Sequence, residues 1–177
     1  MRKKLKALKA ESLKLSKRVN FEKKLSDQER SVFYSSWLYS AIHIFTSLKD
    51  DGFTLDEIAK RFNITKTKAA EVLQFLTSAG IVNEKAGKYV LGVQSTFLEQ
   101  GSPHLLKHHS SWRVKAIQKS ENLSDSEMMV SGQYSISKKD FSMLREQLAE
   151  FLKKVNNTIK DTEPEEVVCL NLDWFWV

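Results

Sequence analysis

The chain has 177 residues, a net charge of +6, six glycines, two prolines and one cysteine. That length suits one domain or two small ones packed together; the low Gly and Pro content excludes collagenous or loop-rich chains, and a lone cysteine excludes an internal disulfide and a multi-cysteine zinc site. No apolar run is long enough to span a bilayer, and the charged N-terminus lacks the apolar stretch of a signal peptide, so no membrane role and a cytoplasmic location are expected.

The charge is unevenly placed. Residues 1–24 carry ten positive and two negative charges, the rest of the chain eighteen and twenty. This leading stretch is rich in Lys, Leu, Ala and Glu and has helix propensity, with Leu5, Leu8, Leu15 and Val19 on one side. Three readings fit it: a solvated tail, an arm that tracks DNA phosphates, or a helix that docks on a partner subunit. The chain divides into a basic N-terminal segment (1–25), a winged helix-turn-helix (26–98) and an α/β dimerisation or sensing part (99–177).

A capping box at Ser26 and Glu29 opens a long helix predicted over residues 26–48. Its apolar residues, among them Phe33, Trp37, Leu38, Ala41, Ile42, Ile44 and Phe45, surround much of its circumference, which predicts burial against more than one element. His43 falls among them and reads as a structural residue. Asp50-Asp51-Gly52 ends the helix, and the two aspartates read as solvated.

A second capping box, Thr54 with Glu57, starts the next helix, whose Leu55, Ile58, Ala59 and Phe62 share one face. Asn63-Ile64-Thr65 breaks it, and Thr65 caps a further helix that turns Ala69, Val72, Leu73 and Leu76 inward and stops at Gly80. Phe75 reads as outward-facing and suited to a protein contact. Residues 81–83 and 89–91 are strand-like runs around Lys85-Ala86-Gly87-Lys88, which has hairpin-turn chemistry. Helix, tight turn, helix and hairpin in that order predict a winged helix-turn-helix, a fold that lays its second helix in the major groove of DNA while the wing touches the backbone. The same fold also serves protein docking.

Residues 94–102 read as a linker, followed by a helix over 104–120. His104 and His108 have the spacing of paired metal ligands, but no cysteine or acidic motif completes a site, so they read as surface or interface histidines and no metal is expected. Residues 127–137 alternate as a half-buried strand, and Ser137 caps an amphipathic helix running to about Lys160. A last strand is predicted from Glu166 to the end, with Val168, Leu170, Leu172, Trp174 and Trp176 on one side and Cys169 as a small buried hydrophobe. Two strands across one helix make a βαβ-like unit, too few strands for an isolated sheet, so the wing or a second subunit is expected to complete it. The fold class is thus α+β: a winged helix-turn-helix, then a helix-strand-helix-strand α/β part.

No nucleophile–base constellation, phosphate-cradling glycine loop or nucleotide fingerprint occurs, so neither enzymatic activity nor a cofactor is expected. Several stretches in series carry a family resemblance: Tyr34-Ser35-Ser36-Trp37-Leu38-Tyr39-Ser40-Ala41-Ile42, Ala79-Gly80-Ile81-Val82, Gly87-Lys88-Tyr89, His108-His109, Tyr134-Ser135-Ile136-Ser137 and Val167-Val168-Cys169-Leu170-Asn171-Leu172. Over about residues 27–175 the chain resembles a paralogous bacterial family of regulator-like proteins whose shared C-terminal domain has no assigned function. The resemblance implies a winged-helix regulator with a C-terminal α/β sensing or dimerising part. Members commonly carry a separate helix-turn-helix domain ahead of the shared one, where this chain has only its basic segment. They also commonly end in a Phe-Pro-Leu-like sequence, where Trp174-Phe175-Trp176 stands here.

These readings converge on a dimeric transcriptional regulator that binds double-stranded DNA, by itself as a homodimer or in association with paralogous regulators. Thr65, Lys66, Thr67, Lys68, Glu71 and Gln74 of the second helix are the candidate groove contacts, with Lys85 and Lys88 of the wing on phosphates. Glu71 is an unusual residue beside phosphates, although it can accept from cytosine. The alternative is a module that uses the winged fold to modulate a partner regulator without touching DNA.

Overall fold

A computed structural model describes residues 25–92, 96, 98, 101–160 and 162–177. The basic segment up to residue 24 and most of the linker 94–102 lie outside the described residues, and with them the readings placed there. The described residues form six α-helices and one two-stranded antiparallel sheet, an α+β chain. No described helix is long and apolar enough to cross a membrane.

The single helix predicted over 26–48 is two. α1 (Asp27–Phe33) starts at the expected Ser26/Glu29 capping box, and α2 (Trp37–Phe45) is capped anew by Ser36, which accepts from the Leu38 N–H. The break has a tertiary cause. Tyr34 is turned into the core at 3% exposure, and its hydroxyl donates to the carbonyl of Thr96, far along the chain. Continuous apolar periodicity concealed this junction because both halves bury the same kind of side chain.

α3 (Leu55–Phe62) begins at the Thr54/Glu57 box and ends at Asn63, which adopts the left-handed conformation (φ 49°) that Asn tolerates better than most residues. α4 (Lys66–Ser78) follows after the Thr65 cap and gives way to Gly80 at φ 72°. β1 (Val82–Lys85) and β2 (Lys88–Leu91) pair with Lys85 opposite Lys88, so the connection has two residues, Ala86 and Gly87. Both have positive φ, as the tight hairpin turn matched to strand twist requires. The two helices, the turn between them and the hairpin thus stand where the sequence places them.

The core is made here. Phe33, Ile42, Ile58, Val72, Leu73, Leu76, Ile81 and Val82 are all at most 2% exposed, bringing α1 to α4 and β1 onto one cluster. Burial of each such side chain stabilises by roughly 1.5–3 kcal/mol before the opposing chain entropy. Phe75, expected to face outward, is half-buried and meets the ring of Tyr39 edge-on at 5.2 Å. Ile44, expected on the inward set, is 47% exposed.

α5 (Leu105–Lys119) packs on α2, with Trp112 and Trp37 ring centroids 6.1 Å apart, and α6 (Lys138–Lys160) begins after Ser137. The two strands predicted at 127–137 and 166–177 do not form. Both segments are without strand pairing, and the only described ladder lies in the hairpin. A strand needs a partner along its edge, and no backbone ladder joins the two segments among the described residues. The βαβ-like unit is therefore absent from the described residues. Cys169 is exposed instead of being buried in a strand. The last segment still has a defined course. Asn171 donates to the Trp112 carbonyl at 3.3 Å, Arg113 holds the Asp173 carboxylate, and the Trp174 indole donates to the Phe141 carbonyl at 3.2 Å. Phe141 stacks on Trp174 and on Trp176, at 5.0 and 4.0 Å between centroids.

Candidate nucleic-acid interface

Every residue proposed from sequence on α4 is solvent-exposed: Thr65, Lys66, Thr67, Lys68, Glu71 and Gln74. The helix is fixed behind them by Ala69, Val72, Leu73 and Leu76, which occupy the opposite face at 0–1% exposure. Thr65 has a structural duty as well, since its hydroxyl accepts from the Lys68 N–H at 3.1 Å and caps the helix. Its oxygen is engaged at the site where a groove contact was expected.

Three of the four candidate lysines are paired. Lys66 reaches Asp56 of α3 at 2.8 Å, Lys68 reaches Glu71 one turn along at 2.8 Å, and Lys88 of the hairpin reaches Asp51 at 2.6 Å. Asp51, read as solvated, is therefore engaged. Lys85 and Gln74 make no such contact among the described residues. The hydrogen bond to Glu71 raises the Lys68 pKa, and that to Asp51 does the same for Lys88, so both ammonium groups stay charged. The same contact with Lys88 lowers the Asp51 pKa. All three pairs are exposed, so solvent screens them and each holds its partners only weakly. An arriving phosphate can compete for these lysines. The Lys68–Glu71 pair also resolves the awkward carboxylate, because Glu71 presents a neutralised couple instead of a bare negative charge.

The hairpin is held beside α4 by a contact that sequence reading missed. Phe53, just before α3, forms an isolated antiparallel bridge with Tyr89 of β2. A single residue between a turn and a helix carries no strand periodicity, so no pattern announces it. Lys49 adds an ammonium 4.5 Å above the Phe53 ring.

The histidines separate into different roles. His104 is buried, contacts Asp27 through Nε2 at 2.8 Å and stacks on Tyr34, which His108 also meets, edge-on at 5.3 Å. The spacing of four residues thus serves to embrace one tyrosine ring. No group of three potential metal ligands occurs among the described residues. His43 is also buried, and burial pushes its pKa down to about 4.

Beyond His104 no described residue is buried. The apolar row of α6 stays open, with Phe151 at 48% and Ile159 at 58% exposure, as do Met128, Val130 and Tyr134 before it and Val168, Leu170 and Phe175 after it. Glu166 pairs with Arg61 at the end of α3.

A family model described as "Domain of unknown function (DUF4423)" matches residues 16–177. No curated protein and no solved structure matches the chain.

Proposed function

The chain belongs to the family of that domain of unknown function, and from this premise we propose that it is a dimeric, DNA-binding transcriptional regulator of winged-helix type. The observation that carries the reading is the outer face of α4. It is a fully exposed row of Lys66, Thr67, Lys68, Glu71 and Gln74, backed by a rigid core and flanked by a hairpin bearing Lys85 and Lys88. A helix of this kind places side chains on base edges while flanking lysines neutralise phosphates. The ten cations of residues 1–24 would add sequence-independent attraction.

The dimeric part of the proposal rests on the C-terminal half. A helix of 23 residues with an apolar row, and two apolar segments without backbone pairing, leave much apolar surface exposed among the described residues. Exposed apolar surface of that extent marks an association site, and unpaired extended backbone is a template for strand addition. A second copy of this chain would supply both at once.

A second reading is favoured by one specific observation. Three of the four candidate lysines already hold a carboxylate, which leaves the face close to neutral and suits a protein partner. Fluorescence anisotropy with a mixed duplex pool across a salt series separates the two. The DNA reading expects binding that weakens steeply with salt, persists without residues 1–24, and has a log–log slope reduced by about 0.9 in Lys68→Ala. Binding that never appears, or that vanishes with the first 24 residues, turns the assignment to the protein-docking reading.

A further inference from the structure

Where α5 crosses α2, the two helices and the C-terminal segment line an open cleft of about 480 Å³. That volume is in the range of small-molecule sites. Its walls are largely aromatic and aliphatic, with Phe33, Tyr34, Trp112 and Val167 among them, and among the described residues no Asp, Glu, Lys or Arg lines it. A charged ligand would lose its hydration there with no opposite charge in return.

Two hydroxyls of the walls are committed: that of Ser40 donates to the Trp37 carbonyl at 3.1 Å, and that of Tyr34 to the carbonyl of Thr96. The imidazoles of His43, His108 and His109 also line the cleft and make no side-chain hydrogen bond among the described residues. His43 is the most buried of the three, at 7% exposure. Its ring nitrogens are not sealed from the surface, so a ligand hydroxyl in the cleft can pair with them. Burial holds the ring neutral at pH 7, so it offers one N–H donor and one acceptor nitrogen.

We propose that this cleft binds an uncharged, largely apolar ring compound carrying one hydroxyl group, which hydrogen-bonds the imidazole of His43 while the ring lies against Trp112 and Tyr34. The site goes beyond the DNA-binding proposal and does not depend on it. It would make the chain responsive to a small neutral molecule, and every readout below uses the free protein.

The full chain, labelled with 15N at histidine and tryptophan, is titrated with 4-methylphenol, 4-methylbenzoate and toluene and followed by nuclear magnetic resonance. The expected result is saturable movement of the His43 imidazole and Trp112 indole signals with 4-methylphenol, and at least ten-fold weaker binding of 4-methylbenzoate. In His43→Leu, 4-methylphenol should bind about three- to ten-fold more weakly, the range of one hydrogen bond, with toluene unaffected. A readout in the unaltered chain stands beside the variant: saturation with 4-methylphenol, unlike toluene, shifts the His43 ring nitrogens. No saturable response of His43 and Trp112 overturns the proposal. So does binding of the carboxylate as tight as that of the phenol, or a phenol-bound state in which the His43 nitrogens do not move.

Discussion

Phe53 and Tyr89 exchange both of their backbone hydrogen bonds, N–H to carbonyl at 3.0 Å in one direction and 2.8 Å in the other. This one bridge fastens the hairpin to the segment that leads into α3, so the hairpin and the helix-turn-helix keep a fixed relation. The approach is close enough to constrain Gly52. Its φ is 76°, and a Cβ there would sit 2.6 Å from both the Tyr89 carbonyl oxygen and Val90 Cγ1.

Gly52→Ala should therefore lower stability by about 2 kcal/mol or more, the sum of a left-handed backbone and an overpacked contact. Gly87→Ala, at φ 75° but with open space around the added atom, should lose only about 1 kcal/mol. Urea midpoints at unchanged m-value read both. Equal losses would show that the Tyr89 contact imposes nothing beyond backbone conformation.

His43 makes stability depend on pH in a defined direction. Its folded-state pKa, about 4, lies below the ordinary value of 6.5, so the unfolded chain takes up the proton first. The stabilisation is complete above about pH 6.5 and is lost as pH falls, levelling near pH 4, with a total of about 3 kcal/mol. His108, whose pKa burial also lowers, acts in the same direction. In His43→Leu the fall between pH 6.5 and 4 should shrink by that amount in urea titrations at stepped pH, and an unchanged profile would place the titration elsewhere.

Two threonine caps provide independent measures of the helix-turn-helix. The Thr54 hydroxyl accepts from the Glu57 N–H at 3.2 Å while Glu57 accepts from the Thr54 N–H at 2.7 Å. Thr54→Ala and Thr65→Ala should each lower the unfolding free energy by about 1 kcal/mol. Because Thr65 begins the helix that the proposed function sets in the groove, only its variant should also weaken duplex binding under that proposal. Serine replacements should restore most of the stability.

The open row of α6 predicts the assembly. Phe151→Glu with Ile159→Glu should convert a species of twice 20.4 kDa into one of 20.4 kDa in sedimentation equilibrium. Both side chains are about half exposed within one chain, so the unfolding midpoint of the separated chain should hardly move. An unaltered chain that sediments at 20.4 kDa at tens of micromolar would reject the second copy as the occupant of that row.

Much of this fold was legible from local chemistry. Ser26 with Glu29 and Thr54 with Glu57 form reciprocal boxes because their partners are three residues apart, and Ala86-Gly87 turns back because two adjacent residues take positive φ. The exposure of Lys66, Lys68, Glu71 and Gln74 follows as directly from the helical period that buries Val72 and Leu73. These are interactions within one or two turns, and residue order alone specifies them.

What only the tertiary structure decided are relations between distant residues. The break at Tyr34 follows from a bond to Thr96, and the bridge of Phe53 to Tyr89 spans two helices. The pairing of Lys66 with Asp56 and of Lys88 with Asp51 depends on how α3 and the hairpin lie against their neighbours. The segments at 127–137 and 166–177 have strand-like alternation yet no ladder, because alternation specifies a face and never supplies a neighbouring edge. His43 reads from sequence as one more inward residue; the crossing of α2 by α5 is what opens a cleft beside it and leaves its ring without a partner there.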